Sequence, residues 1–178
     1  MTVTAAGAYS IRQAHGLTEE QMQELALVLI DCVEGGAAVT FMHPVPLPKA
    51  LAFWRRVAAD VETGARILLL AENSSGIIGT VQVVLAQPEN QPHRAEVSKM
   101  LVHRRARRLG IGASLMRAAE EAARNAGKSL LVLDTASDDA DRLYVRLGWT
   151  LYGSVPDYSL LPHGGLCTAR FYYRHLDP

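Results

Sequence analysis

The sequence is short of cysteine and of net charge, and each shortage excludes a class of protein. It has two cysteines in 178 residues, and Cys32 and Cys167 offer neither the paired spacing of a zinc site nor a disulfide framework. Both are expected to act as small, buried apolar residues in a reducing cytosol. Basic and acidic residues balance at 18 each, so no overall positive field attracts nucleic acid or an anionic membrane.

Long apolar runs and several catalytic motifs are also missing. No segment is long enough to span a bilayer, and the N-terminal residues lack the pattern of a secretion leader. The six histidines have no metal-ligand spacing, and the chain has no Gly-x-Ser-x-Gly elbow of a serine hydrolase. These absences predict a cytoplasmic protein without a metal and with no nucleic-acid or membrane partner. The sequence leaves both a monomer and a homodimer open.

Apolar periodicity predicts one α/β domain over residues 1–178. A capping box at Thr18 and Gln21 begins a first helix, and a second helix runs from about Pro48 to Val61. A short strand is expected at 9–12, a hairpin at 66–72 and 77–85, a strand at 94–103, a helix at 113–126, a strand at 130–134, a short helix ending at Leu147, and a last strand pair at 149–155 and 167–174. In the 94–103 strand, alternation changes to the continuous apolar run Met100-Leu101-Val102, which suggests a β-bulge. The crossover from this strand to 130–134 predicts a parallel pair.

The run RRLGIG (residues 107–112) lies where a strand ends and a helix begins. A helix start leaves backbone N–H groups unpaired, and the helix dipole adds positive charge there. Gly110 and Gly112 allow close approach of an anion, and Arg107 and Arg108 supply forked donors. We interpret this stretch as a diphosphate cradle, and we attribute the basic cluster that begins at Arg104 to the same anionic ligand. A flexible joint with solvated arginines is the alternative.

Two familiar phosphate loops fit poorly. A nucleotide-triphosphate loop needs Gly-Lys-Ser/Thr, but Ala113 and Ser114 follow Gly112. The dinucleotide fingerprint needs a small residue where Leu115 stands, although Asp134 has the spacing of its ribose-binding acid. A dinucleotide-dependent oxidoreductase therefore remains as an alternative.

Two carboxylates flank the cradle. Glu96 projects from the 94–103 strand, and Asp134 ends the next strand at its carboxyl edge, where α/β sheets bind ligands. A partly buried carboxylate there would have the raised pKa of a general base toward an amine. Each also has a structural reading, as a cross-strand partner of Arg94 or as a turn acid. Tyr144 on the short helix is either core filler or a proton donor to a departing thiolate.

These residues together resemble the GCN5-related N-acetyltransferase (GNAT) family. The resemblance rests on Met100-Leu101-Val102, then Arg107-x-x-Gly110-x-Gly112, then Ala140-x-x-Leu143-Tyr144-x-x-Leu147-Gly148-Trp149. The runs GGAAVTFM (35–42), RAEVSK (94–99) and LDT (133–135) are most similar to the tabtoxin resistance acetyltransferases. The resemblance implies a mixed, mostly antiparallel sheet with a central parallel pair splayed at a bulge and helices on both faces. Two departures are His103-Arg104, where a proline is frequent, and Ser137, where an asparagine is frequent.

The resemblance also implies an activity and roles for residues. Acetyl-CoA is the donor, with its diphosphate on N–H groups of residues 108–113 and its pantetheine along the apolar run. Glu96 and Asp134 match the residues that deprotonate the amine, and Tyr144 matches the thiolate-protonating tyrosine. The cofactor-binding set is Met100, Leu101, Val102, Arg107, Arg108, Leu109, Gly110, Ile111, Gly112, Ala113 and Ser114.

The resulting hypothesis is an N-acetyltransferase that acts on a primary amine of a small molecule, such as an amino-acid-like toxin or antibiotic. Phe41, Met42, Trp54 and Tyr158 are predicted to form the wall of the acceptor pocket, with core or loop packing as the alternative for each. A non-catalytic acyl-CoA-binding module would keep the cradle and would not need Glu96, Asp134 or Tyr144.

Overall fold

One mixed sheet organises the chain. The computed structural model describes residues 9–177. The seven strands are β1 (Ser10–Ala14), β2 (Arg66–Asn73), β3 (Gly76–Val84), β4 (Arg94–Val102), β5 (Leu130–Thr135), β6 (Thr150–Leu160) and β7 (Leu166–His175), and the helices are α1 (Glu19–Glu34), α2 (Leu47–Glu62), α3 (Ile111–Asn125) and α4 (Asp138–Arg146). The strand order is β1-β2-β3-β4-β5-β7-β6. All neighbouring pairs are antiparallel except β4 and β5, which confirms the predicted parallel pair.

The first helix begins where the sequence predicts. The Thr18 side chain accepts a hydrogen bond from the Gln21 backbone N–H at 3.2 Å, and the Thr18 N–H donates to the Gln21 side chain at 3.0 Å. Two otherwise unpaired N–H groups are thus satisfied, which confirms the capping box. Among the residues that the structure describes, no helix is long and apolar enough to cross a membrane.

Helices pack on both faces of the sheet, as expected. On one face, α1 and α2 bury Leu25, Leu29 and Trp54 against Leu68 and Leu70 of β2. On the other face, α3 and α4 pack over a second core, whose members include Leu115, Met116, Val81, Leu131 and Leu133. Alternate strand residues therefore face the two helical layers, and both faces of the central strands are buried.

A β-bulge divides β4 into two parts. Gln82 of β3 pairs with Ser98, but Thr80 pairs with Leu101, so Lys99 and Met100 together oppose one residue of β3. Lys99 has a φ of +50°, which few non-glycine residues adopt. The parallel pairing of β4 with β5 ends at Glu96 and Val132. The two strands therefore separate beyond these residues, which confirms the predicted bulge and splay.

The C-terminal hairpin is longer than predicted. β6 continues to Leu160, whereas the sequence pattern ends at residue 155. Its residues are almost all exposed, because β6 is the edge strand of the sheet, and its register to β7 shifts between Val155 and Ser159. Such a strand has no buried face to impose alternation, and Pro156 within it is tolerated at an edge.

Candidate active site

An open cleft occupies the gap between the separating strands. Its volume is about 950 Å³, which is in the range of sites for small molecules and cofactors. β4 contributes the segment 97–102, β5 contributes Asp134 and Thr135, and α4 contributes Tyr144. The lining also includes the start of α3 (residues 110–113) and the connection after α1 (residues 35–39). The cleft thus reaches from the α3 and α4 face of the sheet through the splay.

The predicted cradle lies at one end of this cleft. Gly110 is the N-cap of α3 in a left-handed conformation, with a φ of +78° and no side-chain cap. The first-turn residues Ile111, Gly112 and Ala113 line the cleft, and a helix gives their N–H groups no partner. A Cβ at Gly112 would lie 3.2 Å from the Leu143 side chain, so α3 and α4 approach closely here. The arrangement suits an anionic group.

The basic cluster before the cradle is divided between two roles. The Arg104 backbone N–H and Nε donate to Asp31 at 2.8 and 2.9 Å, and its guanidinium also pairs with Glu34. Burial alone would raise the pKa of Asp31, but the hydrogen bonds from Arg104 lower it below its ordinary value. Arg107 and Arg108 line the cleft, whereas Arg104 does not. Attributing the whole cluster to an anionic ligand was therefore wrong, because Arg104 anchors this loop to α1.

Tyr144 lies between the core and the cleft. It is 5% exposed, and its ring packs 6.0 Å from Trp149 and 5.8 Å from Tyr172, measured between centroids. Burial, then the negative charge of Asp134 and the neighbouring Tyr172, raise the pKa of the phenol above its ordinary value of 10. The phenol therefore keeps its proton at neutral pH and can donate it.

The negative charge of Asp134 affects two other residues of the site. Its charge acts on Tyr144, and it also acts on the ammonium of Lys99. Val132 and Asp134 alternate with Leu131 and Leu133, which are buried on the α3 face, so Asp134 lies on the face of α1 and α2. Glu96 pairs in register with Val132 and shares that face. Both carboxylates are exposed, which differs from the expectation of a partly buried one, because the splay opens this part of the sheet.

The two cysteines differ in their surroundings. Cys32 is 2% exposed, lines the cleft and donates to the Val102 carbonyl at 3.4 Å. Burial raises the pKa of its thiol to about 11, so it is not a thiolate nucleophile at neutral pH. Cys167 is only partly buried, and its sulfur contacts Ser159 across the C-terminal hairpin. The expectation of a buried apolar cysteine is met at Cys32 and not fully at Cys167.

The predicted pocket-wall residues are scattered. Trp54 is 0% exposed and Phe41 is 8% exposed, so both belong to the core beneath α2 and not to an accessible wall. This corrects the expectation for both residues. The helical spacing of Trp54 places it on the apolar face of α2, and Phe41 packs edge-on against Phe53. Met42 and Tyr158 are exposed, and Tyr158 packs edge-on against Phe171 at 5.3 Å.

Two members of the predicted cofactor-binding set, Leu109 and Ser114, do not line the cleft. Leu109 is exposed, and the Ser114 hydroxyl pairs with the Tyr9 hydroxyl at 3.0 Å.

Several cleft residues escape sequence reasoning. Lys99 lines the cleft at the bulge, the segment 35–39 approaches from the end of α1, and Arg142 and Arg146 approach from α4. The break in alternation marks the place of Lys99 in the sequence, but a positive φ at a lysine has no sequence signature. Within residues 9–177, no group of three or more His, Cys, Asp or Glu side chains is placed to hold a metal ion.

Comparison with known proteins assigns the family. Residues 38–149 match the family model of the acetyltransferase (GNAT) family. The chain belongs to that family. Its matched segment contains the bulged strand, the α3 cradle and Tyr144, so the acyltransferase assignment rests on the same residues as the cleft. The chain is therefore an acyltransferase of the acetyl-CoA-dependent N-acetyltransferase type.

Solved structures of other acetyltransferases, including proteins described as putative ones, share the fold. The yncA protein of Salmonella typhimurium, solved with its cofactor acetyl-CoA, has a TM-score of 0.78 at 22% identity, covering 96% of this chain and 95% of that one. A phosphinothricin acetyltransferase of Sinorhizobium meliloti in complex with acetyl-CoA has a TM-score of 0.80 at 18% identity, covering 96% and 89%. A ribosomal-protein-alanine N-acetyltransferase of Brucella melitensis has a TM-score of 0.77 at 23% identity, covering 93% and 99%.

The family assignment overturns the dinucleotide alternative. An oxidoreductase of that kind has a doubly wound parallel sheet with a small residue where α3 packs on its strand. Here one strand pair is parallel, and Leu115 is fully buried in the core at the corresponding position.

Proposed function

We propose that this protein transfers the acetyl group of acetyl-CoA directly to a primary amine of a small molecule, with both substrates bound together. The observation that carries the proposal is the splay, where the cradle and Tyr144 reach the gap from one face of the sheet and Asp134 from the other. Donor and acceptor can then approach from opposite sides, which gives the close, oriented contact that direct transfer requires.

In the proposed reaction, the α3 N–H groups and Arg107 and Arg108 hold the diphosphate, and pantetheine lies along Met100, Leu101 and Val102. A backbone N–H near Leu101 polarises the acetyl carbonyl and stabilises the oxyanion. Glu96 or Asp134 takes a proton from the amine, directly or through water. The neutral amine nitrogen attacks the carbonyl carbon and loses its surplus proton to solvent, and the carbon–sulfur bond breaks. The thiolate receives the proton of Tyr144, which regains one from the protonated carboxylic acid through water. The products are an N-acetyl amine and CoA.

Direct transfer is favoured over a covalent acyl-enzyme. An acyl-enzyme route needs an activated nucleophile, and the cysteine that lines the cleft is Cys32. Its buried thiol has a pKa of about 11, so little thiolate exists at neutral pH. Free cysteines also suit the reducing cytoplasm that we propose as the location. Inactivation of an amine-bearing toxin or antibiotic is the role suggested by the tabtoxin-resistance-like runs.

The first test is ligand-dependent stability together with thiol release. We expect CoA at 100 times its dissociation constant to stabilise the protein by about 2.7 kcal/mol in a thermal-shift experiment, and NAD at the same concentration to have no effect. Release of free CoA from acetyl-CoA with a panel of small primary amines then distinguishes an enzyme from an acyl-CoA-binding module. Stabilisation by CoA without thiol release from any amine in the panel would favour the binding module.

A glycine substitution tests the cradle. Gly110→Ala puts a Cβ on a residue at a φ of +78°, which costs about 1–2 kcal/mol in the left-handed region. If the loop relieves this strain by rotating, the α3 N–H groups leave the diphosphate position, and we expect the Kd for CoA to rise about tenfold. The measurement is calorimetric titration with CoA.

The matched control lies at the other end of the same helix. Gly127 has a φ of +75°, and a Cβ there also meets no atom within 4 Å. Gly127→Ala should lose similar stability and keep its affinity for CoA. Equal effects of the two variants on CoA binding would argue against the cradle.

A further inference from the structure

Lys99 lines the cleft at the bulge, and the proposed reaction gives it no role. Its backbone has a φ of +50°, and its Nζ lies 5.9 Å from the centre of the Phe53 ring on α2. The adjacent Met100 points the other way, since its sulfur would lie 3.6 Å from a Cβ at Gly112 of α3. Regular alternation from Glu96 and Val97 would put residue 99 on the α3 face, but the bulge shifts this order and puts Lys99 on the face of Asp134 and Glu96.

The ammonium of Lys99 is partly desolvated and lacks a direct counter-ion. Burial lowers its pKa, and the charge of Arg66 adds to this; Asp134 and Glu96 act in the opposite direction. Yet among residues 9–177 Lys99 is in no salt bridge, and its close contact is the Phe53 ring. Arg66 is already paired with Asp60 at 2.9 Å. A charged group held in this way lacks a partner that a bound ligand can supply.

The surrounding wall suits a small amphiphilic ligand. Phe171 of β7 pairs in register with Asp134 and shares its face, and Tyr158 packs edge-on against it. Phe53 closes the opposite side above Lys99. One ammonium, two carboxylates and aromatic rings therefore lie on one face of the sheet, where Lys99 and Asp134 line the gap. This set is complementary to a molecule that carries an amine, an anion and an apolar part.

We propose that Lys99 is a specificity-determining residue that binds an anionic group of the acceptor, so that the preferred acceptors carry a carboxylate beside the reactive amine. This inference rests on the proposed transfer reaction and names its acceptor class. Glu96 and Asp134 then face the amine, while Lys99 holds the carboxylate end. The alternative is a positioning role, in which Lys99 only balances the two carboxylates and affects every acceptor alike.

Matched acceptor pairs separate these two roles. Thiol release is measured with amino acids and with their carboxamides, which remove the negative charge and also lower the pKa of the amine, so the wild type and the variant are compared at one fixed pH. We expect the wild-type kcat/KM to favour the acids, and Lys99→Met to reduce the acid-to-amide ratio about 10- to 100-fold, as for a hydrogen bond to a charged group. Methionine keeps the side-chain stem over Phe53 and leaves the backbone strain at residue 99 unchanged. The proposal would be overturned if Lys99→Met lowered kcat/KM equally for the acids and the amides, or left both values unchanged.

Two further variants test whether the effect depends on the charge of residue 99 and on its position in the cleft. Lys99→Arg keeps the charge and should retain most of the preference for acids. Lys49→Met is the matched control, because Lys49 also lies over an aromatic ring, at 5.7 Å from the centre of Phe41, but does not line the cleft. Its acid-to-amide ratio should equal that of the wild type. A loss of preference in Lys49→Met would count against a specific role for Lys99.

A binding measurement makes the outcome independent of turnover. The same amino acids and amides are titrated into protein saturated with CoA, for the wild type and for Lys99→Met. If no acceptor releases thiol but the wild type binds acids more tightly than amides and the variant does not, the transfer reaction fails and the assignment of Lys99 stands. If neither protein distinguishes acids from amides, the assignment of Lys99 fails whether or not transfer occurs.

Discussion

Tyr144→Phe is expected to lower kcat about 10²- to 10⁴-fold while leaving the affinity for CoA within a few-fold of the wild type. The phenylalanine ring keeps the packing against Trp149 and Tyr172, so the cleft should retain its shape. What is lost is the phenolic proton, which the raised pKa of Tyr144 keeps in place at neutral pH. Pre-steady-state measurement of thiol release, together with CoA titration, checks both parts of the expectation.

With its raised pKa the Tyr144 phenol is a weak acid, so its ability to protonate a thiolate depends on the pKa of the corresponding thiol. An exposed thiol has a pKa of about 8.5, well below that of the phenol. Burial near this cleft raises the pKa of the Cys32 thiol to about 11, however. A CoA thiolate that leaves into the cleft would also lose contacts with water, which raises its basicity and lowers the cost of proton transfer from Tyr144. Even before transfer, the hydrogen bond would stabilise the developing charge.

Tyr172→Phe is the matched control for Tyr144→Phe. Tyr172 is equally buried at 1% exposure, but its hydroxyl donates to Asp141 and the residue does not line the cleft. Its substitution should reduce stability and leave kcat nearly unchanged. If Tyr144→Phe turns over within about threefold of the wild type, or if both variants lose rate equally, Tyr144 is not the proton donor.

Much of the fold follows from local sequence patterns. The capping box at Thr18, the hairpin turn before Gly76 and the apolar period of α3 are short-range features, and the structure confirms each of the corresponding elements. The parallel pairing of β4 with β5 also follows, because a single helix separates them in the chain. The end of β6 does not, since an exposed edge strand has no buried face to give it a period.

The site was less predictable than the fold, because it depends on contacts distant in sequence. Arg104 and Arg107 look alike in the sequence, but Arg104 is held by Asp31, 73 residues away, and only Arg107 borders the cleft. In the sequence Trp54 resembles a pocket residue, but in the structure it is fully buried in the core that α1 and α2 share. Lys99 reaches the acceptor face because the bulge adds one residue to β4. No local pattern carries the first two facts, and the break in alternation marks the bulge without fixing the face on which Lys99 lies.

The second large effect is expected from the carboxylates that flank the amine position. Glu96→Gln and Asp134→Asn replace a proton acceptor with an amide of the same shape. We expect the one that serves as general base to lower kcat/KM by about 10²- to 10⁴-fold at pH 7. The double variant should be no slower than the worse single variant if one residue is the base, and slower than both if the two share the role.

The pH dependence distinguishes loss of a base from loss of binding. At pH 7 a primary amine with a pKa of about 8 or higher is mostly protonated, and the base must remove that proton. In the base-deficient variant kcat/KM should therefore rise about tenfold per pH unit up to the pKa of the amine, narrowing the gap to the wild type. A defect that stays constant between pH 6 and 9 would instead indicate weaker binding of the acceptor.

Asp139→Asn supplies the control for a cleft carboxylate without this role. Asp139 lines the cleft as Asp134 does, but it lies on α4 and pairs with Arg142, away from the face that Asp134 and Glu96 share. We expect its rate and pH profile to match those of the wild type. If Asp139→Asn loses as much rate as the other two, the effect comes from the charge of the cleft as a whole and neither Glu96 nor Asp134 is the base. If Glu96→Gln, Asp134→Asn and the double variant all keep the wild-type rate, the amine reaches the thioester already neutral and the protein needs no base.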